Sequence, residues 1–372
     1  MKTIYITDLI GSYCGMHYYD EAFAEVLREK GYRVKILSTF GEKGQKQFFP
    51  LIFRRNKIKS VLLLLKSYLK LLKHMMTHKN GVYIYMCYGE PYDLLMMSPN
   101  IVSKRFFCDI HEVYALKYTE SSRISIFFNW YYTKYVHHFI YHSERTKKKL
   151  DDIGVATPML YIPHFKYSFK KKYKEEFLSE DLIGTFTNIS KIKFLFFGNL
   201  SRTKGVDIVV DTFTRLSQNL KDKVELVIAG KNVENIDFNT LRKISVNYKI
   251  FDRHINDDEL VYLYSHTDVI LLPYRKSSQS GIFAMASYFK KMMLLTDIPY
   301  FRKMINDFPS FGQLTTIEKY QQAVEAIIEN STLNNYYTSF DCECYEEKSR
   351  IDTFIYEFDN ELSDLQKKTK SI

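Results

Sequence analysis

Acidic residues are missing from a long stretch of this chain. No Asp or Glu occurs between Lys43 and Gly89, although lysines and arginines are frequent there. No apolar run approaches the ~18 residues needed to span a bilayer, so no transmembrane helix is expected. The amino-terminal MKTIYITDLIG is too short in its apolar run for a signal peptide and reads as a first strand. Cysteine is scarce. Cys14, Cys87, Cys108, Cys342 and Cys344 are odd in number and scattered, which argues against a disulfide framework and fits a reducing cytoplasm. Cys342 and Cys344 form a lone C-x-C without partners at metal-site spacing and read as ordinary thiols. There is no internal repeat and no low-complexity tract.

What is present is enough for two cores. The 372 residues amount to about two ordinary domains, with 46% hydrophobic content. The most informative stretch runs from Lys193 to Lys231. Phe194–Phe197 is a short apolar run ended by Gly198. Val206, Val209, Val210, Phe213 and Leu216 follow at helical spacing, and Val224–Ala229 is a second apolar run closed by Gly230. Strand, helix and strand at this length make a parallel crossover unit. Ligands of such sheets bind where strands end and helices begin, and Lys204 and Gly205 stand at that point, so an anionic group would dock there.

The pattern G-N-L-S-R-T-K-G-V-D from Gly198 to Asp207 resembles the glycine–lysine turn of glycosyltransferase family 4. The likeness continues through FDRHINDDE (Phe251–Glu259), LVYLYSHTDVILLPY (Leu260–Tyr274) and SSQSGIFAMASYFKKMMLLTD (Ser277–Asp297), in order and at similar spacing. The resemblance covers most of residues 190–310. It implies an α/β chain of the GT-B fold, two Rossmann-like domains with parallel sheets facing a central cleft. It also implies a retaining transferase that takes a hexose from a UDP- or GDP-linked sugar, with no separate cofactor.

The same resemblance assigns roles. Lys204 would neutralise the departing diphosphate, since a fixed cation beside developing phosphate charge is a strong electrostatic device. Arg202 would add a second cation. The family usually has an arginine directly after the first glycine, and this chain has Asn199 there. Ser278, Gln279, Ser280 and Gly281 open a helix whose free amides suit an anion, with a plain N-cap as the compatible alternative. The family's two glutamates of this segment are replaced by Ser278 and Ala286. Donor contacts must then come from hydroxyls, amides and backbone. Retaining transferases of this fold are thought to need no protein base, so an active enzyme and a catalytically silent sugar-binding partner both remain open. Arg253 and His254 fall where the nucleobase binds in relatives. In the first half, Gly11 and Gly15 resemble the glycine loop over the phosphates. His111 resembles the histidine near the donor sugar, and Glu112 beside it is the acceptor candidate. No D-x-D pair stands in a strand-end loop, so no metal is expected. Asp257-Asp258 reads as a helix start.

The domains expected are 1–165 for the acceptor, 166–190 as linker and 191–345 for the donor, with a last helix from about 346 to 372 completing the first. Charge separates along the same line. Residues 1–180 carry 29 Lys+Arg against 17 Asp+Glu, and the remainder 24 against 26, so the basic character belongs to the acceptor half. Within it, Arg54–Lys79 places Ile58, Val61, Leu62, Leu65, Leu69, Leu72 and Met76 at helical spacing beside a stripe of Lys59, Lys66, Lys70 and Lys73. A core helix with a basic edge is one reading. The absence of acids favours the other, peripheral contact with an anionic membrane or a lipid-diphosphate acceptor. The expected role is transfer to a glycan or lipid-linked acceptor for surface polysaccharide, on the inner membrane face. An epimerase lacks a matched carboxylate pair here, and no nucleic-acid recognition motif is visible.

Overall fold

The structure is a computed structural model that describes residues 3–11, 15–41, 46–52, 56–113, 122–162, 172–245, 247–277, 279–329 and 348–370. Ser278 and Arg54 among the expected site residues lie outside these. The chain divides into two compact units, Met1–Phe165 with Glu347–Ile372, and Lys166–Glu346.

The first unit is a six-stranded parallel sheet. Its strands are β1 (Thr3–Asp8), β2 (Arg33–Ser38), β3 (Val82–Cys87), β4 (Phe106–Ile110), β5 (Phe139–Tyr141) and β6 (Met159–Tyr161), in the order β2-β1-β3-β4-β5-β6. β3 and β4 are buried at every position, as expected for strands covered on both faces. The crossover helices are α1 (His17–Glu29), α2 (Lys57–Thr77), α3 (Pro91–Met97), α4 (Arg123–Tyr135) and α5 (Glu144–Asp152). Leu71 of α2, Met96 and Met97 of α3, Phe128 and Tyr132 of α4 and Leu150 of α5 fall in one core cluster, so these four helices share a face of the sheet. That follows from topology. Every connection from β2 to β6 steps in one direction along the sheet, and right-handed crossovers then stay on one side.

Local signals explain the helix starts. Ser143 caps α5 by accepting from the Thr146 amide at 3.2 Å. Asn56 caps α2 and Ser122 caps α4 in the same way, each at 3.1 Å. α2 buries Ser67 and Leu71, with Leu64, Tyr68 and Met75 partly packed on the core. Its stripe of Ile58, Val61, Leu62, Leu65, Leu69 and Met76 points away from that core, with Ile58 74% and Leu62 61% exposed.

The second unit repeats the plan. β7 (Ile192–Phe197), β8 (Val224–Gly230), β9 (Tyr248–Asp252), β10 (Val269–Leu272), β11 (Met292–Thr296) and β12 (Gly312–Thr315) form a parallel sheet in the order β12-β11-β10-β7-β8-β9. Its helices are α6 (Val206–Arg215), α7 (Gln218–Lys221), α8 (Asn239–Ile244), α9 (Asp257–His266), α10 (Gly281–Tyr288), α11 (Pro299–Asp307) and α12 (Tyr320–Glu329). α9 starts at the acidic pair, with a reciprocal capping box between Asn256 and Glu259. The described part of 172–190 packs on this unit. Ser179 donates to Glu259 at 2.6 Å, and Tyr262 donates to the Thr185 carbonyl at 2.6 Å. α13 (Lys348–Lys370) returns to the first unit, where Phe354 meets Phe23 and Phe358 meets Phe107. Asp352 on α13 takes a hydrogen bond from Lys30 at 2.6 Å.

Candidate active site

In the second unit, two neighbouring strands deliver the expected residues to one place. β7 ends at Gly198, and the turn to α6 carries Asn199, Arg202, Lys204 and Gly205. β10 is hydrogen-bonded to β7 and leads through Pro273 and Tyr274 towards α10. The two connections lock together by backbone contact. Gly205 is left-handed at φ 75°, and a Cβ there would stand 1.9 Å from the Pro273 carbonyl oxygen, so glycine is required on both counts. A Cβ on Gly230 would stand 1.8 Å from the Gly198 carbonyl oxygen. The Arg275 amide donates to the Thr203 carbonyl at 3.0 Å. Its guanidinium grips Asp207 in α6 through two bonds of 2.7 and 2.8 Å and also meets the Arg202 carbonyl.

Lys204 is half-buried, with its Nζ 3.9 Å from the centroid of the Tyr274 ring. A cation over an aromatic face is attracted to the ring and held in place by it. Beside it, the buried Ser280 caps α10 by accepting from the Phe283 amide at 3.2 Å. The Tyr274 hydroxyl is itself hydrogen-bonded to the Ser280 side chain. Lys204, Ser280, Gly281 and the half-buried Gln279 are thereby gathered at the strand ends, with the exposed side chains of Asn199 and Arg202 on the turn. A lysine over a helix start is a site for an anion such as a diphosphate.

Arg253 sits elsewhere, after β9 at the sheet edge. Its guanidinium is bonded to both Glu259 oxygens at 2.8 and 2.9 Å and to Asp181 at 3.2 Å, and meets Ser179. His254 is exposed, and its carbonyl accepts from Arg253. A cavity of about 450 Å³ between Tyr173, Tyr262, His266 and Lys193 lies at the start of β7, the end away from Gly198.

The first unit holds a buried polar cluster at the ends of β1, β4 and β5. Asp109 accepts from the Tyr19 hydroxyl at 3.0 Å and meets His142 Nε2 at 2.5 Å. His142 Nδ1 lies 3.1 Å from the Ile162 carbonyl oxygen. His111 is stacked between Tyr88, 5.3 Å away, and His142, 4.7 Å away, with the edge of Tyr19 at 4.6 Å. Burial would push the Asp109 carboxyl up, but His142 and His111 outweigh it and hold it below the usual range. Asp8 accepts from the Ile10 amide at 2.7 Å and from Tyr88 at 2.9 Å. It is raised by burial, and Asp20 next to it is raised well above normal by burial and by Asp8 and Asp109. Gly11 lies against this carboxylate, because a Cβ there would stand 2.7 Å from Asp8 Oδ2. Gly15 is one position from the N-cap of α1. Glu112 is half-buried after β4.

Asp109, His111 and His142 offer three ligand atoms within 4.8 Å of one another. The 2.5 Å contact between His142 and Asp109 is a hydrogen-bond distance. Two ligands about 2.0–2.1 Å from a tetrahedral zinc stand farther apart than that, so the arrangement as it stands suits a shared proton. Sequence reasoning missed His142, Tyr19 and Tyr88 here, and Tyr274 and Arg275 in the second unit. Tyr274 closes the Leu260–Tyr274 segment without a role of its own there, and the others belong to no local motif.

Residues 185–341 match the family described as "Glycosyl transferases group 1". The matched span covers β7 to α12, including the lysine turn and the α10 start. The fold is GT-B, as the solved structures show. A sucrose-phosphate synthase from Thermosynechococcus elongatus is similar with a TM-score of 0.65 at 12% identity, covering 100% of both chains. WaaG, a glycosyltransferase involved in lipopolysaccharide biosynthesis, has a TM-score of 0.65 at 13% identity, over 94% of this chain and 98% of its own. Anabaena HepE in complex with UDP-glucose has a TM-score of 0.63 at 12% identity, over 98% of this chain and 100% of its own. No curated protein matches the chain. Among the described residues, no helix is long and apolar enough to cross a membrane.

Proposed function

We propose that the chain is a retaining glycosyltransferase that moves a hexose from a nucleotide sugar to a membrane-associated acceptor. The observation that carries this reading is Lys204 held over Tyr274 beside the capped start of α10. The donor diphosphate docks on that turn. The acceptor hydroxyl oxygen bonds to the anomeric carbon as the bond from that carbon to the phosphate oxygen breaks. The acceptor's proton passes to the departing phosphate oxygen on the same face. Lys204 offsets the charge gained by the leaving group, and the α10 amides share it. His111, its ring fixed by stacking, and Glu112 keep the sugar and acceptor roles that the resemblance implies for the first unit. This division of labour needs no protein base, so Ser278 and Ala286 in place of glutamates are compatible with it.

UDP-glucose is the first donor to try, because HepE is a neighbour solved with it. The acceptor is a saccharide on a lipid diphosphate or a surface polysaccharide precursor. The basic first half supports an anionic partner, and the lysine-flanked apolar stripe of α2 supports an anionic bilayer as the place of contact. The test is incubation with labelled UDP- and GDP-sugars and a lipid extract, followed by NMR of the product linkage. Transfer with the donor's anomeric configuration kept supports the proposal. Inverted configuration refutes the mechanism. Binding without turnover favours the second reading, a silent sugar-binding partner, which Asn199, Ser278 and Ala286 motivate.

A further inference from the structure

The inward faces of α2, α3 and α4 are accounted for by the core they share, and Tyr68 of α2 is tied to Ser98 beyond α3 by a 2.7 Å hydrogen bond. α2 and α4 also expose large apolar side chains on their outward faces. Besides the α2 stripe, Ile126, Phe127 and Trp130 stand out from α4, and Val102 after the turn at 98–101 is 86% exposed. Trp130, 44% exposed, is the chain's single tryptophan, and its ring lies 5.3 Å from Phe127 and 5.2 Å from Tyr135. Scattered exposed apolar residues need no explanation, but these lie on helices that pack on one side of one sheet.

Charge identifies the partner. α2, the 98–101 turn and α4 contain no Asp or Glu. Exposed Lys59, Lys66 and Lys73 flank the stripe on α2, and exposed Arg123 and Lys134 lie at the two ends of α4. A protein groove would have to accept the exposed face of α2, some 30 Å long, which is about the length of a 21-residue helix. A headgroup layer takes such a surface without complementarity. Lysine stems and an indole at its border are the side chains that favour that boundary.

We propose that α4 and the 98–102 turn form, together with α2, one surface that lies on an anionic bilayer, with Trp130 seated at the boundary of headgroups and acyl chains. The inference rests on the reading of α2 as lipid-facing and extends it to a second element that the acid-free stretch does not reach.

The full chain carries its own reporter, since selective excitation reads Trp130 alone. Its emission is followed while vesicles of phosphatidylcholine, with or without phosphatidylglycerol, are added, and again with bromine-labelled acyl chains. The expected result is a blue shift and bromine quenching with the anionic vesicles only. Phe127→Ser with Ile126→Ser should then lower the partition coefficient about tenfold, with the far-ultraviolet circular dichroism unchanged. Vesicle binding that leaves Trp130 emission and quenching unchanged overturns the role of α4 and leaves that of α2 standing. No sedimentation with any vesicle overturns both. A blue-shifted Trp130 without lipid, in a particle of twice the mass, assigns the surface to self-association and also overturns the proposal. The wild-type quenching does not depend on whether the variant folds.

Discussion

Gly205 and Asp20 are the two positions where a single residue decides most. At Gly205 an added methyl meets a backbone carbonyl, which cannot swing aside as a side chain would. Gly205→Ala should therefore cost about 2 kcal/mol or more, since it combines backbone strain with overpacking. Urea denaturation reads this, and a midpoint equal to wild type would show that the turn is not held as described. Asp20 raises a question of sign. Its carboxyl is raised in the folded state by burial first and by Asp8 and Asp109 second. A folded-state value above the unfolded one means that the native state binds the proton more tightly. The stabilisation is full below the ordinary carboxylate range and is lost as pH rises through the folded value. Asp20→Asn removes that loss, because the amide cannot ionise. The variant should equal wild type near about pH 4 and exceed it by about 1 kcal/mol or more near about pH 8. Thermal unfolding across pH measures the difference, and parallel profiles would contradict the raised Asp20 carboxyl. Glu259 has the opposite sign. Burial raises it, but Arg253 and Ser179 hold it below normal, so its contribution fades as pH falls.

At the scale of elements, the start of α10 and the return of α13 carry testable weight. Ser280→Ala removes the cap on the Phe283 amide and should cost about 1 kcal/mol. If the same amides receive the donor phosphate, the variant weakens nucleotide binding as well as stability. Loss of stability alone would separate the cap from the ligand. Deleting residues 348–372 uncovers Phe23 and Phe107, which α13 now meets through Phe354 and Phe358. The truncated chain should unfold at lower temperature in the first unit while the second unit still binds nucleotide. Elements were also the level at which the sequence was most readable. The β7–α6–β8 crossover, the Ser143 cap and the acid-rich start of α9 all follow from local spacing, because hydrophobic period and capping chemistry act within a few residues. The α2 stripe was visible as a pattern, but its direction was not. An apolar face at helical spacing reads the same whether it enters the core or leaves it. The contacts that build the sites were hidden for a different reason. Arg275 reaches Asp207 across 68 positions and His142 reaches Asp109 across 33, and only the sheet order brings such partners together.

Charge is unevenly divided over the whole molecule. The first 180 residues carry the positive excess, and the lysine turn lies in the nearly balanced remainder. On the proposed reading, attraction to an anionic surface belongs to one unit and recognition of an anionic donor to the other. Salt separates them. Vesicle binding should fall steeply as ionic strength rises, because several solvated lysines act together. Nucleotide binding at Lys204 should fall less, since the half-buried cation and the α10 amides are partly shielded. Equal salt dependence of the two would contradict the division. The proposed donor site holds a nucleotide diphosphate on the turn of Lys204. A thermal-shift screen of UDP, GDP and their sugars against wild type and Lys204→Ala tests it directly. The account predicts stabilisation by one nucleotide, abolished or cut at least about tenfold in apparent affinity by the substitution, in a variant that unfolds like wild type without ligand. A shift of equal size in both proteins would place the nucleotide elsewhere, and no shift with any nucleotide would contradict the donor site altogether.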